Sequence, residues 1–119
     1  MPKKLLIRKE LSKTDIDYRL SVPMKSLYAF RIRKGEHFKE IGVTDIHGET
    51  RRFRCSTRKT GLHPKPVLST GWTAFAKERG LTKGDEVSIF LNGAEDLEFQ
   101  IEARRKMVLF GEVFWTDPL

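Results

Sequence analysis

Residues 67–90 read VLSTGWTAFAKERGLTKGDEVSIF, and the rest of the chain is best read outward from them. The stretch opens on a brief apolar run, Val67–Ser69, of strand type. Ser69 or Thr70 then offers a side-chain oxygen to cap a helix. Trp72, Phe75 and Ala76 fall at i, i+3 and i+4, the apolar stripe of a short helix, and Gly80 is placed to end it. A capped amphipathic helix must bury that stripe, so Trp72 and Phe75 are expected in the core. Gly84 and Asp85 form the next turn, Gly supplying unusual φ and Asp bonding its local backbone, and an apolar strand follows.

Immediately upstream lies RRFRCSTRKTGLHPK, Arg51–Lys65. In its strand half, Phe53 and Cys55 share one face and Arg52 and Arg54 the other, because side chains alternate with a period of two. Its second half is a loop shaped by Gly61 and Pro64. Residues 51–70 carry six Lys or Arg and no carboxylate, whereas residues 71–119 carry six cations against nine acids. The net charge of +7 is therefore concentrated in the middle and N-terminal segments. A local excess sets up a directed field and points to an anionic partner. In the loop, Arg58 suits bidentate contact with guanine, while Lys59, Thr60, His63 and Lys65 reach base edges or phosphates.

Further outward the pattern is of short strands. Lys3–Leu11 suits a first strand, Ser12 or Thr14 a cap for one helical turn ending near Asp17, and YRLSVP a strand stopped at Pro23. MKSLYAF has the look of a short helix and RIRKGEHF of a loop or edge hairpin. FKEIGVTDI is a strand turned at His47–Glu49. NGAED reads as a hairpin turn, LEFQIEA as an alternating strand and MVLFGEVFW as one final apolar strand. Such a series predicts a mainly β chain, a barrel or pseudo-barrel.

At 119 residues, with 39% apolar content, the chain suits one domain, 1–119, around one core. No stretch approaches the roughly 18 apolar residues of a membrane span, and MPKKLLIRKE lacks a signal peptide's apolar run. The lone Cys55 has no partner for a disulfide or a zinc site, which suits a reducing compartment. Catalysis finds no support. His37, His47 and His63 lack metal-ligand spacing, and Asp96, Glu98 and Glu102 are followed by Arg104 where metal nucleases place a lysine. No cofactor, metal or small-molecule ligand is expected.

The run from Phe53 to Phe90 resembles the heart of the plant B3 DNA-binding domain. The matching motifs are Phe53-Arg54, Val67-Leu68-x-x-Gly71-Trp72, Phe75-x-Lys77-Glu78 and Leu81-x-x-Gly84-Asp85-x-Val87-Ser88-Ile89-Phe90, with KELSKTDIDYRLSVP upstream. The resemblance covers residues 9–105. It implies a seven-stranded open β-barrel flanked by two short α-helices, no enzymatic activity, and a nuclear transcription regulator that grips the DNA major groove with two arms. Carried onto this chain, the first arm is Lys13 to Ser21, including Tyr18 and Arg19, and the second is Arg58 to Lys65, with Arg54 on the strand leading into it. The first arm is shorter and the second longer than the family pattern. The expected partner is double-stranded DNA, with protein partners in transcription. Two alternatives stand beside it: a B3-fold protein–protein module without DNA specificity, and a small barrel that stacks RNA or single strands on aromatics.

Overall fold

The computed structural model describes residues 3–93 and 98–119. In chain order these form β1 (Lys4–Glu10), α1 (Lys13–Asp17), β2 (Leu20–Ser21), a 3₁₀ segment (Met24–Phe30), β3 (Phe38–Thr44), β4 (Thr50–Ser56) and β5 (Val67–Leu68). There follow α2 (Trp72–Glu78), β6 (Glu86–Asn92), β7 (Glu98–Arg104), β8 (Lys106–Leu109) and β9 (Glu112–Trp115). Seven strands make one curled sheet in the order β1-β6-β7-β3-β4-β5-β2. This sheet, with the short helices α1 and α2, is the open seven-stranded barrel that the resemblance implies. Its neighbours pair antiparallel except β3 and β7, which run parallel through Val43–Phe99 and Thr44–Gln100.

The inward positions of the strands form one cluster with α2. Phe53 and Cys55 are buried on one face of β4, Trp72 and Phe75 come in from α2, and Phe30 stacks on Phe99 with ring centroids 5.3 Å apart. Burial pushes the Cys55 thiol up to about 12, so it behaves as a small apolar side chain. Asp85, also buried, ties the turn before β6: its carboxylate accepts from the Thr82 N–H at 2.8 Å and from the Lys106 N–H at 3.0 Å.

Three expectations are corrected. Neither Ser69 nor Thr70 caps α2, because their backbones are paired with β4: Arg54 N–H donates to Thr70 O and Ser69 N–H to Arg54 O, each at 3.0 Å. The N-cap is Gly71 at φ +87, where a Cβ would stand 2.0 Å from the Arg52 carbonyl oxygen. Gly80 does close the helix. Its N–H donates to Lys77 O at 3.1 Å while the Leu81 N–H donates to Ala76 O at 2.9 Å, the paired bonds of a Schellman cap.

The strand over YRLSVP is only Leu20–Ser21. Tyr18 and Arg19 still donate their N–H groups to Thr14 O and so belong to the end of α1, and Pro23 opens the 3₁₀ segment.

The final strand is instead a separate two-stranded hairpin, β8–β9. Phe110 and Gly111 both have positive φ, the I′ turn arrangement, and Phe-Gly is a poor advertisement for it beside Asn-Gly. Met107, Val108, Leu109, Phe110, Val113 and Phe114 are all exposed on this hairpin. Residues 94–97, most of the predicted NGAED turn with Asp96, lie outside the described residues.

The ladder β3–β4 sets the polarity of the molecule. Phe38 pairs with Ser56, where the second arm begins, and Thr44 pairs with Thr50 at the far end. Because β7 runs parallel to β3 and continues to Arg104, the β8–β9 hairpin leaves from the end remote from the arms.

Candidate nucleic-acid interface

The first arm is built on α1, which is too short to persist by propensity and is held by side chains. Ser12 and Asp15 form a reciprocal capping box, with the Asp15 N–H to the Ser12 hydroxyl at 3.2 Å and the Ser12 N–H to the Asp15 carboxylate at 2.8 Å. Burial pushes the Asp15 carboxyl up, but the Lys9 ammonium at 2.8 Å and the Ser12 bonds outweigh it and leave the group below its ordinary range. From the core side, the Trp72 indole N–H donates to Asp15 O at 2.6 Å. The signature tryptophan is thus a core residue that also fixes the first arm.

The second arm is a closed loop. Thr57 N–H donates to His37 O and Arg58 N–H to Pro64 O, both at 2.7 Å. Gly61 at φ +102 and Lys65 at φ +41, between two prolines, supply the reversals. The arms are then joined at their roots: Leu20 pairs with Leu68, Ser21 with Val67, and Val22 N–H donates to Pro66 O at 2.9 Å.

Between them opens a cleft of about 450 Å³ whose polar lining includes Arg19, Ser21, Thr57, Arg58 and Lys65. The structure therefore brings four of the expected site residues to one concavity: Arg19, Ser21, Arg58 and Lys65. Lys13, Tyr18, Lys59, Thr60 and His63 stand exposed elsewhere on the same two arms. Among the described residues, Lys13, Arg19, Arg58, Lys59 and Lys65 make no ion pair.

Arg54 is different. It pairs with Glu40 at 3.2 Å and lies over the Phe38 ring at 4.4 Å, on the outer face of β3–β4. Its neighbours in the basic run are committed too. Arg52 shares Glu40 at 3.3 Å, and Arg51 forms a fork with both oxygens of Glu78, at 2.6 and 2.7 Å, and reaches Asp45 at 3.4 Å. The charge that is uncompensated in sequence is thus half compensated in space, by acids at positions 40, 45 and 78 that fold back onto β4.

Asp45 is the hub of that arrangement. It is buried, accepts from the His47 and Glu49 N–H groups at 2.9 and 3.1 Å, and holds Arg79 at 2.8 Å. Burial pushes its carboxyl up, and these two N–H groups together with Arg51 and Arg79 bring it below the ordinary range.

One basic element escaped the sequence reading. The loop after the 3₁₀ segment packs on the second arm, so that Arg31, Arg33 and Lys34 line a second cleft, of about 340 Å³, together with Arg58 and Pro64. Three cations within four residues were the available signal. What joins them to the arm is the long-range bond from Thr57 to His37 O.

The family model for the B3 DNA binding domain matches residues 7–107. The chain belongs to the B3 DNA-binding domain family. Auxin response factor 2 of rice (Oryza sativa subsp. japonica) is 40% identical over 68 residues, 57% of this chain and 9% of that protein. Auxin response factor 3 of rice is 35% identical over 77 residues, 65% of this chain and 10% of that protein. The chain thus spans about a tenth of the length of these curated relatives. Among solved structures, the Arabidopsis FUS3–DNA complex superposes with a TM-score of 0.71 at 22% identity, covering 86% of this chain and 98% of that one. The Arabidopsis thaliana protein At1g16640.1 superposes at 0.60 and 17%, covering 86% and 90%. These likenesses establish the B3 fold over the barrel. The family match ends at residue 107, so most of the β8–β9 hairpin lies beyond it.

Proposed function

We propose that this B3 domain binds double-stranded DNA sequence-specifically, seating both arms in one major groove, and serves a nuclear transcription regulator. The observation that carries this reading is the cleft where Arg19 and Ser21 of one arm face Arg58 and Lys65 of the other, with no ion pair on either arginine or on the lysine among the described residues. A major groove about 12 Å wide admits such a pair of arms, and arginine is the side chain suited to guanine O6 and N7. Lys13, Lys59 and the 31–34 cations flank the cleft and supply phosphate contacts.

A single-strand or RNA binder needs exposed rings to stack bases. Tyr18, 71% exposed, is the aromatic on the two arms; Phe38 and Tyr28 are also exposed but lie outside the arms, each with one ring face already taken by a cation, Arg54 and Lys4 respectively. One ring on the two arms is a poor stacking platform, and the duplex is favoured.

The test is a titration of labelled duplex, single-stranded DNA and RNA over a range of salt. Duplex preference is expected, with log K falling against log salt by about 0.9 for each phosphate neutralised. A flat salt response, or tighter binding to single strands, rejects the reading.

A further inference from the structure

Leu62 is 97% exposed, the most open of the large apolar side chains among the described residues. It stands on the second arm between Gly61 and His63, in a loop otherwise composed of Arg58, Lys59, Thr60 and Lys65 with Pro64. The loop is closed from Arg58 N–H to Pro64 O at 2.7 Å, and Gly61 holds φ +102, so Leu62 is carried outward on a shaped ring. A phosphate-binding arm has no use for an apolar tip. The major groove offers one apolar group for it to meet, the C5 methyl of thymine.

We propose that Leu62 reads a thymine methyl, making it a specificity-determining residue of the second arm. The inference rests on the proposed seating of that arm in the major groove. A protein partner is the weaker occupant. Protein interfaces are anchored by clusters of apolar and aromatic side chains, and the run of consecutive exposed apolar side chains among the described residues, Met107–Phe110, lies on the β8–β9 hairpin at the opposite end of the barrel. Leu62 alone presents one side chain, the right amount of surface for one methyl. Because the contact is apolar, its contribution should not change with salt, unlike that of the cations around it.

The experiment begins with a site selected from random duplexes and replaces each thymine in turn by deoxyuridine, which differs only in lacking the methyl. At one thymine the parent should lose about fourfold in affinity, the effect of one buried methyl, by the same factor at low and high salt. Leu62→Ala should bind the thymine and deoxyuridine duplexes equally at that position, and Leu62→Met should restore the preference. All variants should melt with the parent, since nothing packs on this side chain. A parent indifferent to every deoxyuridine, a selected site without thymine, or a Leu62→Ala variant that keeps the full methyl preference would overturn the inference. Arg58→Ala on the same duplexes separates the two levels. If it relaxes discrimination at one base while methyl dependence is absent, the arm reads DNA and Leu62 does not. If it leaves discrimination intact, the seating of the arm itself is wrong and the inference falls with it.

Discussion

At the Thr44–Thr50 end of the β3–β4 ladder, Arg51 and Arg79 are consumed by Asp45 and Glu78. At the Phe38–Ser56 end, Arg19, Arg58 and Lys65 surround a cleft and make no ion pair among the described residues. The same side-chain chemistry therefore serves architecture at one end and is left available to a ligand at the other. What separates the two is where the acids fold to, and a count of charges along the chain cannot show it.

The largest expected effect falls on neither set of cations but on the residue that joins core to arm. Trp72→Ala should destabilise the fold by about 3–5 kcal/mol, as for large aromatics deleted from cores. Trp72→Phe sharpens the point. It keeps a buried ring but leaves Asp15 O without its indole donor, so a smaller stability loss, about 1–3 kcal/mol, should come with weakened discrimination by the first arm. Equal discrimination by parent and Trp72→Phe, measured on single-base changes, would reduce Trp72 to core packing alone.

Next comes the architectural end. Asp45→Ala should cost about 3 kcal/mol in chemical denaturation, because it removes the nearer of the two carboxylates that hold Arg79 and leaves two backbone N–H groups unpaired. Duplex affinity of the remaining folded protein should stay at the parent's level. The pH dependence follows from the same group. The folded-state carboxyl lies below its unfolded value, so its contribution is fully present above the unfolded value of about 3.9 and is lost as pH falls through the folded one. Asp45→Ala should therefore flatten the fall in stability below about pH 4. An unchanged acid limb would show that other carboxylates govern it.

At the arm end, Arg19→Ala and Arg58→Ala should each cost about 1–3 kcal/mol on the preferred site and relax the choice of one base. A uniform loss over all sequences would demote both to phosphate contacts. The smallest effect is expected from Lys83→Ala, in the turn before β6, within about 0.5 kcal/mol in both stability and binding.

Much of the fold was legible because local rules and the global pattern agree. The period-two alternation of Phe53 and Cys55, the stripe of Trp72, Phe75 and Ala76, and the Gly84-Asp85 turn each found the predicted place. The failures have physical reasons. The α2 cap was misplaced because Ser69 and Thr70 lend their backbones to β4, a long-range pairing that overrides a local preference. The tail hairpin was missed because Phe110 takes a left-handed conformation that bulky residues seldom adopt. In the site, Arg19 and Arg58 came from a motif, whereas the pairing of Arg52 and Arg54 with Glu40 depends on the β3–β4 register. A register of that kind is invisible to composition.

Arg52 and Arg58 lie six residues apart in the same basic run, and both are exposed, the first paired with Glu40 and the second lining the cleft. Measuring Arg52→Ala and Arg58→Ala side by side, on the selected duplex and its single-base variants, tests most directly whether spatial pairing and not sequence charge decides function. Arg58→Ala should lose roughly fivefold or more in affinity together with discrimination at one base, while Arg52→Ala changes affinity by less than about twofold and discrimination not at all. Equal losses from the two, without change in base preference, would mean that the basic segment acts as a diffuse field, and the division of the molecule into a structural end and a reading end would be contradicted.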